Sequence, residues 1–253
     1  MQKYLTIIEK ALDAVLPRPD ERPHALHEAM RYAVGSGGKR IRPVVCLAAA
    51  EAVGGVADDA VFPACAIELL HNYTLIHDDL PAMDNDVERR GRPTVWKKFG
   101  EANAILVGDA LLALAYRTAA KAPRNVAAIV DVLGEMGVGV VMGQVEDVEK
   151  LNADDFVYRH KTADLFIAAA AMGGLAAGGA DGEIALLRDY ALNLGLAFQY
   201  EDDLLDGDGA YPREETERRA REATAAAVAA LAGLSGDVTF LKSLAERLME
   251  RKN

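Results

Sequence analysis

Apolar residues recur every three or four positions along most of this chain, and strict apolar–polar alternation is hard to find. That period predicts helices over 41–53 (IRPVVCLAAAEAV), 62–80, 102–120, 126–149 and 188–206. Several are apolar on most faces, as helices of a core are. The N-terminal MQKYLTIIEKALDAVLP carries acids inside its apolar run, so it reads as an amphipathic helix and not as a signal peptide. At 165–180, LFIAAAAMGGLAAGGA is apolar but short and rich in Ala and Gly. A membrane span needs roughly 20 strongly apolar residues, so this stretch predicts a buried helix with close neighbours, and no membrane span. REETERRAREATAAAVAAL (213–231) predicts a surface helix. The breaks are short: RPDERP at 18–23, GSGG at 35–38, GG at 54–55, the RRGRP turn and GDGAYP at 207–212. No linker divides the chain. The expectation is one all-α domain over 1–253, a bundle of about ten helices.

Composition narrows the function. Hydrophobic residues make up 51% of the 253, enough for a sizeable core, and the formal net charge is −11. That charge argues against general nucleic-acid binding but leaves room for a local anion site. Cys46 and Cys65 lie in Ala-rich surroundings and read as buried thiols in a reducing cytoplasm, not as a disulfide framework. These features predict a soluble, cytoplasmic protein.

Two stretches break the apolar pattern. HDDLPAMDNDVERRGRPT (77–94) crowds Asp78, Asp79, Asp84, Asp86 and Glu88 at the end of a helix, and FQYEDDLLD (198–206) brings Asp202, Asp203 and Asp206 to the end of another. Asp202 and Asp206 are four apart and share a helix face. Two carboxylates about 4 Å apart repel by about 4 kcal/mol at an effective dielectric near 20. A fold tolerates that when a cation such as Mg²⁺ occupies the gap, and Mg²⁺ completes its shell with water and phosphates. Asp78 and Asp84 are six apart and would fall on different helix faces; Pro81 between them predicts a local bulge that gathers them. Each cluster alone could equally be a solvated acidic face or a polar helix end. Two of them facing each other across a bundle could grip a diphosphate leaving group through several Mg²⁺ ions.

Cations complete the pattern. GSGGKRIRP (35–43) puts Lys39, Arg40 and Arg42 at a helix start, where backbone N–H groups favour anions. Arg89 and Arg90 follow the first acidic cluster, His71 lies two turns before Asp78, and HKT (160–162) supplies Lys161 and Thr162. No Ser-His-Asp or Cys-His arrangement stands out.

GGKRIRP, HNYTLIHDDLPAMDNDVERRGRPT, VGDALL (107–112), HKT and FQYEDDLLD occur in the order found in the trans-polyprenyl diphosphate synthases, and the chain resembles that family over about residues 20–206. The likeness is nearest to the bacterial farnesyl diphosphate synthases. The resemblance implies the all-α isoprenoid synthase fold, a homodimer, and Mg²⁺ at three ions per site. It implies that Lys39, Arg42, His71 and Arg90 bind isopentenyl diphosphate. Asp78, Asp79 and Asp84 match the first metal-binding motif, and Asp202, Asp203 and Asp206 the second. Arg89 and Lys161 match contacts to the allylic diphosphate, with Thr162 and Gln199 in the same pocket. Asp78, Asp79, Asp84, Arg89, Lys161 and Asp202 then carry the ionisation of the allylic substrate. Tyr73 and Thr74 lie one turn deeper than Asp78, where a bulky side chain would stop elongation. Tyr73 there implies a farnesyl product, with geranylgeranyl as the alternative and a weakly active or regulatory subunit as another. A terpene cyclase is disfavoured by the cations of the second substrate site. The segments after Gln144 and Asp206 are shorter than in that family, and its lid lysines have no counterpart; either those loops are missing from the chain as read, or the lid is incomplete.

Overall fold

The computed structural model describes residues 1–149, 155–207 and 209–248. The helices are α1 (Gln2–Val15), α2 (His24–Val34), α3 (Ile41–Ala52), α4 (Val61–Asp78), α5 (Val95–Phe99), α6 (Glu101–Ala119), α7 (Val126–Val148), α8 (Asp155–Val157), α9 (Asp164–Ala177), α10 (Asp181–Asp206), α11 (Arg213–Ala230) and α12 (Thr239–Leu248). Ten of these run ten residues or longer, so the all-α expectation holds. The RRGRP turn adds a small antiparallel hairpin, β1 (Glu88–Arg89) and β2 (Arg92–Pro93). Arg90 and Gly91 both have positive φ (56° and 72°), the backbone a tight two-residue hairpin turn demands.

The core is built around α9, against which α3, α4, α7 and α10 all pack. Its Ala and Gly residues do what their size predicts. A methyl at Gly173 would overlap the Cys46 carbonyl of α3, and one at Gly195 of α10 would sit 2.5 Å from the Ala163 Cα. Close approach brings Phe166, Leu47, Leu69 and Leu111 to full burial, each stabilising by about 1.5–3 kcal/mol. Cys46 and Cys65 are buried free thiols.

α7 departs from expectation. With a mean hydropathy of 1.8 over its apolar window, it is long and apolar enough, by length and composition, to cross a membrane. In the fold one side packs on α9, while Val138, Val141, Met142 and Val145 remain exposed. Ile105 and Leu106 of α6 are exposed as well.

Helix ends place the chemistry. α4 stops at Asp78, and the chain then turns. Here the bulge expected from Pro81 is corrected: the helix ends, and the following turns fold back. The Asp84 N–H donates to the Asp78 carbonyl at 2.9 Å, and the Asn85 N–H to the Leu80 carbonyl at 3.0 Å. Six residues are thus closed by a hydrogen bond, which no straight helix could do. α10 ends at Asp206 because Gly207 takes a left-handed conformation (φ 78°). HKT lies on a π-helical turn, Tyr158–Ala163, between α8 and α9. Single π-helical turns frequently mark functional sites.

Candidate active site

The GSGGKRIRP loop sorts its cations by burial. Arg40 is 4% exposed and enters α3 from a left-handed conformation. It donates to Glu68 (2.6 Å), Glu9 (2.8 Å) and the Val34 carbonyl (2.6 Å). Every edge of that guanidinium is spent on protein. Arg42 is different. Its Nη1 lies 3.4 Å from His71 Nε2, its guanidinium sits 4.8 Å from the Phe166 ring centre, and its buried Nε has no hydrogen-bond partner. Burial pulls its pKa down to about 10, with Glu68 and Asp202 pulling the other way. It is still a cation at neutral pH. A half-buried cation whose buried Nε has no partner is stabilised by an anion.

Arg90 reaches the same place from the hairpin, donating to the Gly37 carbonyl. A side chain at Gly38 would meet the Arg90 Nη1 at 2.7 Å, so the glycine makes the approach possible. Lys39, Arg42, His71 and Arg90 line one cavity of about 120 Å³ with Phe166 and Phe198. Burial, then the charges of Arg42 and Arg90, hold the His71 pKa well below its usual value. His71 is therefore neutral at pH 7 and offers a single N–H donor. Arg40 and Glu68 line the cavity too, but they are paired with each other; that leaves Lys39, Arg42 and Arg90 with the neutral donor His71, a set suited to a phosphate group.

A second, larger cavity of about 440 Å³ begins at Asp78. Tyr73, Thr74 and His77 of α4 line it, with Ile105 of α6 and Val140, Val141 and Gln144 of α7. Its walls are mostly apolar. The Asp78 carboxyl is pushed up to about 6, first by burial; Lys161 pulls it down and Asp84 pushes it further up. Asp79 turns elsewhere. It is buried and accepts from Arg89 Nε at 2.7 Å. Asp84 is exposed.

Near the end of α10, its side chains and those of the π-helical turn form a chain of hydrogen bonds. Thr162 donates to Gln199 at 2.7 Å, and Gln199 donates to Asp203 at 2.9 Å. Asp203 also accepts from the Tyr158 hydroxyl, which in turn accepts from the Ala210 N–H at 2.9 Å. Asp203 is buried, while Asp206 is exposed at the end of α10. The charge of Asp202 is felt by Arg42. Lys161 donates to Asp147 of α7. Asp147 and Tyr158 were missed in the sequence. Asp147 had a signal, because it lies three residues after Gln144 near the end of an apolar helix; Tyr158 had none. Residues 150–154 and 208, within the two short segments noted in the sequence, lie outside the described residues.

Among the described residues, no three His, Cys, Asp or Glu side chains form a ready-made ion cage. Mg²⁺ would not need one, because it takes one or two carboxylates and fills its shell with water and phosphates. Burial makes the Asp78 carboxylate costly to ionise, and a cation beside it would offset that cost.

An all-α bundle with a cation-lined pocket, an apolar cavity and carboxylates at two helix ends is of the isoprenoid synthase fold class. The chain belongs to the polyprenyl synthetase family, whose model matches residues 23–231. It is 45% identical over 218 residues to the chloroplastic large subunit 1 of the heterodimeric geranylgeranyl pyrophosphate synthase of Arabidopsis thaliana, covering 79% of this chain and 58% of that protein. It is 44% identical over 213 residues to the chloroplastic geranylgeranyl pyrophosphate synthase of Capsicum annuum, covering 79% and 57%. The chain thus spans less than two thirds of the length of these relatives. Among solved structures, the geranylgeranyl pyrophosphate synthetase of Pyrococcus horikoshii superposes with a TM-score of 0.90 at 28% identity, covering 99% of this chain and 97% of that one. The geranyltransferase of Legionella pneumophila gives 0.87 at 31% identity, covering 100% and 96%. The expectation of a cytoplasmic protein is corrected by the two plant relatives, both named chloroplastic. Charge, thiols and core patterning, on which that expectation rested, are shared by enzymes of either compartment.

Arg42→Met should weaken the binding of inorganic pyrophosphate, used as a probe of the anion pocket, about 30-fold or more. Its thermal midpoint should not fall, because a half-buried cation whose Nε has no partner is removed. Calorimetric titration and thermal unfolding read the two effects separately.

Proposed function

We propose that this chain is a trans-prenyltransferase that joins an allylic diphosphate to isopentenyl diphosphate and releases geranylgeranyl diphosphate. The observation that carries the reading is the pair of cavities: one gathers Lys39, Arg42, His71 and Arg90, and the other runs from Asp78 along apolar walls. One suits a diphosphate head and the other a growing hydrocarbon tail. The names of the plant relatives favour the geranylgeranyl product over the farnesyl product expected from Tyr73.

Asp78, Asp84 and Asp202 would hold Mg²⁺ together with the substrate, and the ion would supply charge that stabilises a departing pyrophosphate. The protein's own part is placement and dryness. Arg42, Arg90, Lys39 and the neutral His71 hold isopentenyl diphosphate. Lys161, set by Asp147, and Arg89, set by Asp79, face the allylic head. The allylic C–O bond breaks, the isopentenyl double bond attacks the resulting cation, and a proton is lost to pyrophosphate. The apolar walls keep water from the cation.

Purified protein incubated with Mg²⁺, isopentenyl diphosphate and each allylic primer tests this, with products sized by chromatography. Geranylgeranyl diphosphate is the expected end product. A farnesyl end product would restore the first expectation, and no product with any primer would favour a regulatory subunit, a reading kept open by the heterodimeric relative.

A second copy of this chain is the proposed partner. Leu106 of α6 and Val138 of α7 are 57% and 61% exposed, on helices that pack against each other. Large apolar side chains left in solvent on adjoining helices are what an interface would cover. A charge placed there, Leu106→Glu with Val138→Glu, should convert a dimer into a monomer by sedimentation; a wild-type monomer would overturn the assembly.

A further inference from the structure

VGDALL at 107–112 was conspicuous in the sequence but received no role, and the structure supplies one. Gly108 lies on the buried face of α6, directly beneath the ring of His77 on α4. A Cβ at 108 would meet three atoms of that ring: Cε1 at 2.9 Å, and Nε2 and Cδ2 closer still. The ring is also pinned. Its Nε2 lies 3.1 Å from the Ile105 carbonyl. A carbonyl only accepts, so Nε2 carries the proton and donates. One turn earlier on α4, the Tyr73 ring packs edge-on against His77, with centroids 4.9 Å apart and planes at 73°. Both rings line the 440 Å³ cavity that starts at Asp78.

We infer that His77, seated on Gly108 and held by the Ile105 carbonyl, positions Tyr73 and so sets how long a prenyl tail the cavity admits. The inference rests on the chain-elongation reading above. Its physical content is steric. His77 has α6 on one side and the cavity on the other. Nothing larger than glycine fits beneath the ring without moving it, and the open direction is into the cavity. A displaced ring fills space that the tail would occupy. Removing the ring does the opposite: the cavity widens towards α6, and Tyr73 loses the edge it leans on. Tyr73 alone therefore does not report product length, because its position depends on His77 and, through it, on Gly108.

Three variants test this with the product-sizing assay. Gly108→Ala should shift the main product at least one five-carbon unit shorter. His77→Ala should shift it at least one unit longer. The double variant should match His77→Ala, because an alanine at 108 has no ring to displace; residues in contact couple in this way. The KM for isopentenyl diphosphate should stay within about twofold, since neither residue lines the cation pocket. Unchanged product lengths in an elongating enzyme, or additive shifts in the double variant, would overturn the inference. If Gly108→Ala does not fold, His77→Ala decides alone: an unchanged or shorter product rejects the idea. A wild-type protein that elongates no primer would instead refute the function on which it rests, a separate outcome.

Discussion

Asp78→Asn should lower kcat by roughly 10³-fold and yet raise the thermal midpoint of the metal-free protein above about pH 6. Both effects come from one cause. Burial makes the Asp78 carboxylate costly to ionise, and its pKa rises to about 6 from an ordinary value of about 3.9. A carboxyl whose folded pKa is raised contributes full stability below its unfolded pKa, and that contribution is lost as pH rises through the folded pKa. The metal-free wild type should therefore lose stability from about pH 4 to about pH 6. Asparagine cannot ionise and removes this part of the slope. Asp79 and Asp164 are also shifted upwards by burial, so only the difference between wild type and variant isolates Asp78. Unfolding in a chelator across that range, paired with steady-state kinetics, reads both effects. Equal slopes would mean that Asp78 bears no buried charge, and a kcat within tenfold of wild type would remove it from the ionisation step. Sites that work by holding uncomfortable charge commonly trade stability for activity in this way.

The helices were legible because burial writes a period into the sequence. The boundaries of α3, α6, α7 and α11 fall within a residue or two of those expected. α10 begins seven residues earlier than its apolar run suggested, at Asp181, with Glu183 reaching back to the Ala180 N–H. The expected start followed apolar residues, whereas a polar cap opens this helix. The shape of the first acidic motif was not legible. Proline announces that a helix is disturbed, but a bulge and a folded-back end look alike in sequence. Only the bond from the Asp84 N–H to the Asp78 carbonyl separates them. Composition was silent about partners across helices as well. Lys161 with Asp147, Asp203 with Tyr158, and His77 over Gly108 join elements far apart in the chain. Residue type names the chemistry, while tertiary packing chooses which of several similar side chains performs it.

Arg40→Met is the sharpest case of that choice and should cost about 3–5 kcal/mol of stability, although Arg40 stands two residues from Arg42 in the same motif. Glu68, 3% exposed, depends on Arg40 Nη1 at 2.6 Å. Asn72 Nδ2 at 3.2 Å offers only a weak second donor. Removing Arg40 leaves a buried carboxylate without its hydrogen-bonded cation, and the more distant charges of Arg42 and Arg90 offset only part of the desolvation cost. At about 2–4 °C per kcal/mol for a chain of this size, the thermal midpoint should fall by on the order of 10 °C. Arg42→Met should show no such fall. Replacing both members, Arg40→Met with Glu68→Met, should recover most of the loss, because a buried ion pair is often worth no more than an apolar pair of similar volume. Calorimetry on the two single variants and the double variant makes the comparison. If Arg40→Met unfolds no earlier than wild type while its KM for isopentenyl diphosphate climbs, the roles of the two arginines are exchanged, and the buried pair with Glu68 does not hold the fold. If the double variant stays as unstable as the single one, Glu68 is not what Arg40 answers, and its bond to the Val34 carbonyl at the end of α2 becomes the member that matters.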